Sequence, residues 1–178
     1  MCKGARKSTH AQDFIGKRLA KWRNYHVAKQ IVPPFLDIAC GDNLLAHGRG
    51  NEGIGIDIID HGSADLIVSD FADLPFESES YMTITIVASL NYFDDPISVM
   101  TECKRLLKPD GRLIVTMLAP AVGLLWHLFR EPWAKHSGMS SEQIATIAHS
   151  SGLQLIRKFR FMFWMNSLYV LKKINGLN

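Results

Sequence analysis

The sequence is poor in cysteine and has no long uninterrupted hydrophobic run. Its three cysteines, at positions 2, 40 and 103, form no C-x-x-C pair and have no metal-ligand spacing, which predicts reduced thiols, a cytoplasmic location and no metal site. The longest apolar stretch, 113–126, is 14 residues long, whereas a helix that crosses a bilayer needs about 20. The first ten residues are polar, with no apolar core after them, so neither a secretory signal nor a transmembrane segment is predicted.

The sequence also lacks a glycine-rich phosphate loop. Where a dinucleotide-binding turn would place the three glycines of G-x-G-x-x-G, this chain has Ala39, Gly41 and Leu44, and no Lys or Arg follows as in a P-loop. Asp42 lies in the same turn and would repel a phosphate. An NAD-dependent oxidoreductase therefore stays only as a disfavoured alternative.

The chain does have enough apolar sequence for one compact domain, and its charge is uneven. It has 178 residues, of which 47% are hydrophobic. Residues 1–32 carry eight basic side chains and one acidic side chain, a net charge of +7, and the rest of the chain carries −4. We predict a basic N-terminal helical arm over 1–32 and a single domain over 33–178. The arm either contacts an anionic surface or is a solubilising helix face. Nucleic acid is the least favoured partner, because no recognised binding module accompanies the charge.

Periodicity and turn signals predict an alternation of strands and helices. Asp95-Pro96 is a good helix start, and Ser140-x-x-Gln143 is a capping box. Only seven residues separate the second and third strands, fewer than a parallel crossover usually needs, so we expect the covering helix there to be lost. The predicted helices are 12–31, 44–47, 95–108 and 140–152, and the predicted strands are 35–39, 53–58, 66–69, 82–88, 112–118, 153–161 and 164–172.

A strand, a glycine turn and an acid that closes the next strand form the strongest site signal. Gly41 follows the first predicted strand, and Asp57 lies 16 residues later near the end of the second. Such a turn lets a ligand approach the main chain, and such an acid accepts hydrogen bonds from vicinal ribose hydroxyls. Because Asp42 disfavours phosphate, a ribose-bearing cofactor with a cation and no phosphate fits best, and S-adenosylmethionine has these properties.

Five segments between residues 35 and 118 together resemble class I S-adenosylmethionine-dependent methyltransferases of the broad small-molecule type. In chain order they are 35–43 (the first motif), Asp57 (the ribose acid), 70–76 (the adenine segment), 90–96 (after the fourth strand) and 105–115 (a helix-turn-strand element). The resemblance implies an α/β fold: a Rossmann-like, mostly parallel seven-stranded sheet of order 3-2-1-4-5-7-6, with the last strand antiparallel, here trimmed of some covering helices. Ala39 and Asn43 replace two glycines of the first motif. Alanine is small, and asparagine tolerates left-handed backbone angles.

The resemblance also implies roles for the cofactor residues. Gly41 would let the main chain approach the methionine part of the cofactor, Asp37 would support the loop and reach the amine, and Asp57 would bind ribose. Adenine would be covered by Ile58 and met at its edge by residues 70 and 71, and residues 89 and 90 would line the methyl-transfer cleft. The predicted cofactor set is Asp37, Ala39, Cys40, Gly41, Asp42, Asp57, Ile58, Asp70, Phe71, Ser89 and Leu90.

The acceptor site is predicted in the segment after the fifth strand, where relatives place substrate contacts. A hydroxyl acceptor needs a general base, commonly histidine. The candidates for the base are His127, His136 and, third, Tyr92. Substrate contacts are predicted for Trp126, for Asn166 and for Arg130, which would hold an anionic group.

The acceptor class follows from resemblance alone. The trimmed fold, the early G-D-N turn and the closing N-x-L-Y-V strand look like methyltransferases of bacterial surface-polysaccharide pathways, so a sugar or lipid-linked glycan hydroxyl is the leading hypothesis. Asn91-Tyr92 stands where many relatives have Glu-His. A catalytically inactive interaction subunit of the same fold is therefore the second interpretation. Either a homodimer or the N-terminal helix would cover the sheet face that the lost helix leaves bare.

Overall fold

The computed structural model describes residues 14–47, 49, 52–119 and 138–174, in which strands and helices alternate. A short 3₁₀ turn, Leu90–Tyr92, follows the fourth strand. In chain order the elements are α1 (Phe14–Ala28), β1 (Phe35–Ile38), β2 (Gly53–Asp57), β3 (Leu66–Ile67), β4 (Tyr81–Val87), α2 (Pro96–Leu106), β5 (Leu107–Leu118), α3 (Ser141–Ser150), β6 (Leu153–Phe161) and β7 (Asn166–Lys173).

The strands form one seven-stranded sheet of order β3-β2-β1-β4-β5-β7-β6. The first five strands pair in parallel, and β7 runs antiparallel to both β5 and β6. The predicted fold class, strand order and antiparallel last strand are therefore confirmed. In such a sheet the carboxyl ends of the parallel strands meet at one edge, and ligands bind outside that edge.

Alternate residues of each strand pack on opposite faces of the sheet, because the side-chain direction reverses at every residue. On one face, Leu113 and Val115 of β5 belong to the core cluster that also contains apolar residues of α2 and α3. On the other face, Ile114 belongs to the cluster that contains Phe35 and Val27 of α1. The helix α1 therefore covers the second face of the sheet.

The short β2–β3 connection contains no helix, which confirms the trimmed architecture. Residues 58–65 run directly from β2 to β3, and the backbone N–H of Asp65 returns to the carbonyl oxygen of Gly55 at 2.8 Å. Leu66 and Ile67 of β3 are 37% and 44% exposed. The edge of the sheet at β3 is therefore bare in the described part of the chain.

Two helix starts have the predicted caps. The Asp95 carboxylate accepts hydrogen bonds from the N–H groups of Ile97 and Ser98, with proline at the first helical position. Before α3, the Ser140 hydroxyl accepts from the N–H of Gln143, whose side chain accepts from the N–H of Ser140. These caps satisfy N–H groups that have no partner within the helix.

An ion pair between the buried Glu102 and the partly exposed Arg105 fixes the segment before β4. The Glu102 carboxylate accepts from the N–H of Leu74 at 3.0 Å and from Arg105 at 2.5 Å. Arg105 also donates to the carbonyl oxygens of Leu74 and Phe76. Burial opposes ionisation of Glu102, but these hydrogen bonds outweigh it, so the pKa of this carboxyl lies below its usual value.

Several predicted boundaries were wrong. Residues 44–47 form turns and no helix. Because Ala39 has a left-handed backbone, β1 ends at Ile38. The strand β5 begins at Leu107, directly after α2, and includes the Lys-Pro-Asp-Gly segment that was assigned to a turn. Residues 162–165 form a tight turn, so the last strand begins at Asn166 and not at residue 164. Among the described residues, no helix is long and apolar enough to cross a bilayer.

Candidate active site

The loop after β1 turns sharply because three of its residues have left-handed backbones. Ala39, Gly41 and Asn43 have φ values of 56°, 55° and 51°. Nothing lies within 4 Å of where a Cβ on Gly41 would project, so the space over this residue is open. The N–H of Cys40 donates to the carbonyl oxygen of Ile56 at 3.0 Å, which holds the loop against the end of β2. The tolerance of asparagine for this backbone region explains the replacement of glycine at position 43.

The side chain of Asn43 connects the loop to the segment after β2. It is fully buried, and its amide donates to the carbonyl oxygen of Ser63 at 2.9 Å and to the Asp65 carboxylate at 3.0 Å. The same carboxylate oxygen accepts from the N–H of Gly55 at 2.8 Å. A Cβ at Gly55 would lie 2.0 Å from the Asn43 amide oxygen, so only glycine fits at that position.

The predicted ribose acid, Asp57, lies at the end of β2 and faces the loop. One carboxylate oxygen accepts from the N–H of Gly41 at 2.9 Å, and the other accepts from Ile58 at 2.8 Å and Ile59 at 3.1 Å. A carboxylate has about four lone-pair positions, so one position remains on the oxygen that faces Gly41. Ile58, predicted to cover adenine, is 50% exposed beside it.

Asp37 lies in β1, the strand that leads into the loop. Its carboxyl is buried, and the positive charge of Arg23 offsets its negative charge only in part. It is 3% exposed and accepts a hydrogen bond from the Thr85 hydroxyl at 2.6 Å. Burial raises the pKa of Asp37 to about 7, although this hydrogen bond and the Arg23 guanidinium favour the carboxylate. Burial also lowers the pKa of Arg23, whose Nε atom is buried without a partner in the described part of the chain. The sequence analysis did not find Arg23, because nothing local connects α1 with β1.

Two further residues of the predicted cofactor loop differ in exposure and chemistry. Cys40 is half-buried, and burial together with the carboxylates of Asp37 and Asp57 raises its pKa to about 12. It is therefore a protonated packing residue and not a nucleophile. Asp42 is exposed at the outer side of the turn. The acidic side chains make the loop electronegative, which suits a cationic ligand and opposes a pyrophosphate.

The predicted adenine segment follows β3 and lies near Asp57, whose carbonyl oxygen accepts from the N–H of Val68 at 2.9 Å. Asp70 is exposed, and one of its oxygens accepts from the N–H of Ala72 at 2.9 Å. The Phe71 side chain is 5% exposed and packs in the core with its ring centroid 5.3 Å from that of Phe93. Any contact of residue 71 with adenine would therefore use its main chain.

Unpartnered polar atoms mark the carboxyl edge of the central strands. Among the described residues, the hydroxyl oxygens of Ser89 and Thr116 and the amide oxygen of Asn166 are buried without a hydrogen-bond partner. The structure brings these residues to one edge, since Asn166 begins β7 opposite Leu118 at the end of β5. Leu90, in contrast, is fully buried in the core. The sequence analysis missed Thr116, although a threonine within the otherwise apolar run 113–118 is a usable signal.

Of the predicted base and substrate residues, the structure describes Tyr92 and Asn166. Tyr92 is 56% exposed in the short turn after β4, at the same edge as the loop. The other residues of this group, Trp126, His127, Arg130 and His136, lie outside the described residues.

Comparison with known protein families matches residues 36–115 to the model of a methyltransferase domain. The chain is 32% identical over 79 residues to a demethylmenaquinone methyltransferase of Thermotoga maritima, covering 42% of this chain and 34% of that protein. It is 28% identical over 102 residues to a ubiquinone biosynthesis O-methyltransferase of Marinobacter nauticus, covering 47% of this chain and 43% of that protein. The chain therefore spans less than half the length of these relatives.

The fold has similar counterparts among solved structures. A SAM-dependent methyltransferase from Thermotoga maritima superposes with a TM-score of 0.71 at 16% identity, over 90% of this chain and 93% of that one. At this identity the likeness concerns the fold alone.

Proposed function

We propose that this chain, in which residues 36–115 form a class I methyltransferase domain with S-adenosylmethionine as its cofactor, transfers a methyl group to a hydroxyl of a small molecule or glycan. The observation that carries the proposal is the pairing of Gly41 with Asp57 at the carboxyl edge of the sheet, where the N–H of one meets the carboxylate of the other at 2.9 Å. This contact brings together the glycine turn and the acid at the end of the second strand, the two features from which the sequence predicted a cofactor site.

The residues at this edge fit the cofactor in shape and charge. The space over Gly41 is open, and the carboxylate of Asp57 keeps one lone-pair position for a ribose hydroxyl. Asp37 offers an anionic partner for an ammonium group, and Arg23 carries the opposite charge beside it. A zwitterionic amino acid needs both signs. The electronegative loop also favours a sulfonium, and Asp42 in the same turn would repel the phosphate of a dinucleotide.

The chain's own groups would mainly orient the reactants and exclude water. When bound, S-adenosylmethionine supplies an electrophilic methyl group, and its transfer is an in-line displacement at carbon. Main-chain groups of residues 89 and 90 would line the path between donor and acceptor, and Asn166 with its unpartnered amide oxygen would accept a hydrogen bond from the substrate. Alignment alone can account for a large part of the rate.

The hydroxyl acceptor must lose a proton during the transfer. His127 or His136 would take it, with Tyr92 at the mouth as a third candidate and Arg130 holding an anionic part of the substrate. A glycan hydroxyl is the acceptor to test first. The name of the ubiquinone biosynthesis O-methyltransferase adds a phenolic hydroxyl of a quinone precursor as the second acceptor to test.

Titration calorimetry with S-adenosylhomocysteine tests the cofactor site. We expect micromolar binding by the wild type, a loss of roughly tenfold or more in Asp57→Ala, and no binding of NAD. Asp110→Ala, which removes an exposed acid near the start of β5, is the matched control and should bind normally. Circular dichroism must show both variants folded. Absence of binding in the folded wild type would contradict the proposal and favour the inactive interaction subunit.

Transfer of a radioactive methyl group tests the acceptor. The wild type is incubated with labelled S-adenosylmethionine and, separately, with sugar-hydroxyl and phenolic-hydroxyl compounds. Label in sugars supports the glycan hypothesis, and label only in phenols replaces it with the quinone class. Cofactor binding without transfer to either class would contradict hydroxyl methylation, and His127→Ala and His136→Ala separate the two candidate bases.

A further inference from the structure

A cluster of exposed aromatic side chains lies at the turn between β6 and β7. Phe163 and Trp164 are 86% and 74% exposed, the two most exposed large hydrophobic residues of the described chain. The ring of Phe163 meets the ring of Trp22, on α1, edge to face at a centroid distance of 6.0 Å. Tyr25, one turn further along α1, is 56% exposed. We call these four residues the aromatic tip.

The turn that contains Phe163 and Trp164 of the aromatic tip has an unfavourable backbone conformation. Met162, Phe163 and Trp164 all have left-handed backbones, with φ values of 53°, 53° and 65°. Bulky residues seldom adopt this region, and a strained conformation persists only where surrounding contacts enforce it. Here the buried Met162 side chain anchors the turn in the core. This conformation leaves the rings of Phe163 and Trp164 largely exposed, so apart from the contact with Trp22 they contribute little to folding stability.

The surface around the aromatic tip is basic. The helix α1 contains no acidic residue, Lys17 and Lys21 are exposed on it, and the exposed Lys29 directly follows it. The ammonium of Lys29 lies 4.2 Å from the centroid of the Tyr25 ring. A groove of about 320 Å³ on the flank of α1 is lined by Lys21, Tyr25 and Arg49. Cations thus alternate with aromatic rings on one surface.

We propose that the aromatic tip and the lysines of α1 form a docking surface for an anionic lipid bilayer. Exposed tryptophan, tyrosine and phenylalanine side chains partition into the interface between water and hydrocarbon, and lysines beside them are attracted to anionic headgroups. A protein partner would not require cations interleaved in this way, and duplex nucleic acid would leave the rings of Phe163 and Trp164 without a binding site.

The position of this surface relates it to the candidate active site. The turn over 162–165 leads into Asn166, a predicted substrate contact, which lies opposite the end of β5. The N–H of Ala119 donates to the carbonyl oxygen of Met165 at 2.8 Å, so the turn is fixed to that edge. A bilayer docked at the aromatic tip would therefore lie beside the methyl-transfer edge, within reach of an acceptor anchored in lipid.

Vesicle flotation with the full chain tests the proposal. We expect the wild type to float with vesicles of phosphatidylcholine and phosphatidylglycerol, but not with phosphatidylcholine alone, and to be released by added salt. The double variant Phe163→Ser, Trp164→Ser should lose roughly tenfold or more in partition coefficient. Lys21→Glu changes the charge by two units and should lose about 25-fold, at about fivefold for each charge.

Control variants separate membrane docking from general effects. Ile97→Ser removes a residue that is 41% exposed on α2, which packs on the other sheet face, and Lys108→Glu reverses a charge at the start of β5. Both should float like the wild type. The conservative pair Phe163→Leu, Trp164→Phe should retain flotation, which distinguishes lost apolar contact from a disturbed fold. Failure of the wild type to float, equal flotation of the serine double variant, or flotation that ignores phosphatidylglycerol would each overturn the proposal.

Discussion

Replacing Asp37 with asparagine should stabilise the protein at alkaline pH and weaken its cofactor site. The carboxyl of Asp37 is 3% exposed, and burial raises its pKa from the usual 3.8 to about 7. Between these two pH values the folded protein keeps a proton that the unfolded chain has released. The free energy of unfolding should therefore fall as the pH rises through this window and level off above about pH 7.

The size of the effect follows from the pKa difference. A difference of about 3 pKa units corresponds to about 4 kcal/mol of stability lost between acid and neutral pH. Asparagine carries no charge, and its amide oxygen can still accept the hydrogen bond from Thr85. We expect Asp37→Asn to unfold with a free energy up to about 4 kcal/mol higher than the wild type at about pH 8, less any attraction to Arg23 that is lost, and to differ little near pH 4.

Urea denaturation followed by circular dichroism measures this difference across the pH range. Asp110→Asn, an exposed acid near the start of β5, is the control and should follow the wild type at every pH. If Asp37→Asn destabilised the protein equally at acid and alkaline pH, burial of the ionised carboxyl would not lower the free energy of unfolding. That result would refute the raised pKa of Asp37.

Cofactor binding provides a second readout of the same group. If the ammonium group of S-adenosylhomocysteine lies near Asp37, binding favours the carboxylate and releases a proton near neutral pH. Calorimetry in buffers of different ionisation enthalpy would show this release in the wild type and not in Asp37→Asn. A variant that is more stable and yet binds more weakly would show that the buried acid is retained for function.

Three further predictions concern Gly55 beside the candidate site, the ion pair between Glu102 and Arg105, and the Ser140 cap of α3. Gly55→Ala should destabilise the protein by about 1–3 kcal/mol and weaken S-adenosylhomocysteine binding, because the new methyl would meet the Asn43 side chain; adding Asn43→Gly should restore part of the stability in urea denaturation. Glu102→Gln should cost about 1.5–3 kcal/mol at neutral pH by weakening the hydrogen bonds with Arg105. Because the folded pKa of Glu102 is lowered, this loss should shrink in denaturation curves as the pH falls below 4.5, and a pH-independent loss would contradict the ion pair. Ser140→Ala should cost about 1 kcal/mol through loss of the α3 cap, measured as a lower urea midpoint, and an unchanged midpoint would mean that the cap does not contribute.

The fold was largely predictable because its signals are local. Runs of buried strand residues, a proline after Asp95 and the Ser140 capping box specify where elements begin. The resemblance supplied their order in the sheet. The boundaries that were wrong lie where backbone conformation overrides pattern, at Ala39, whose left-handed angle ends β1, and at Leu107, where β5 continues through a proline and a glycine.

By itself, the sequence determined the strand-turn-acid signal of the proposed cofactor site, because Gly41 and Asp57 are recognisable from their neighbours along the chain. Tertiary structure alone decided how that site is held and charged. The Asn43 amide finds Asp65 across two loops, Arg23 of α1 approaches Asp37, and Trp22 meets Phe163 at a turn far along the chain. Periodicity reports which face of an element is buried, but such contacts depend on how separate elements pack against one another, and no local pattern encodes that packing.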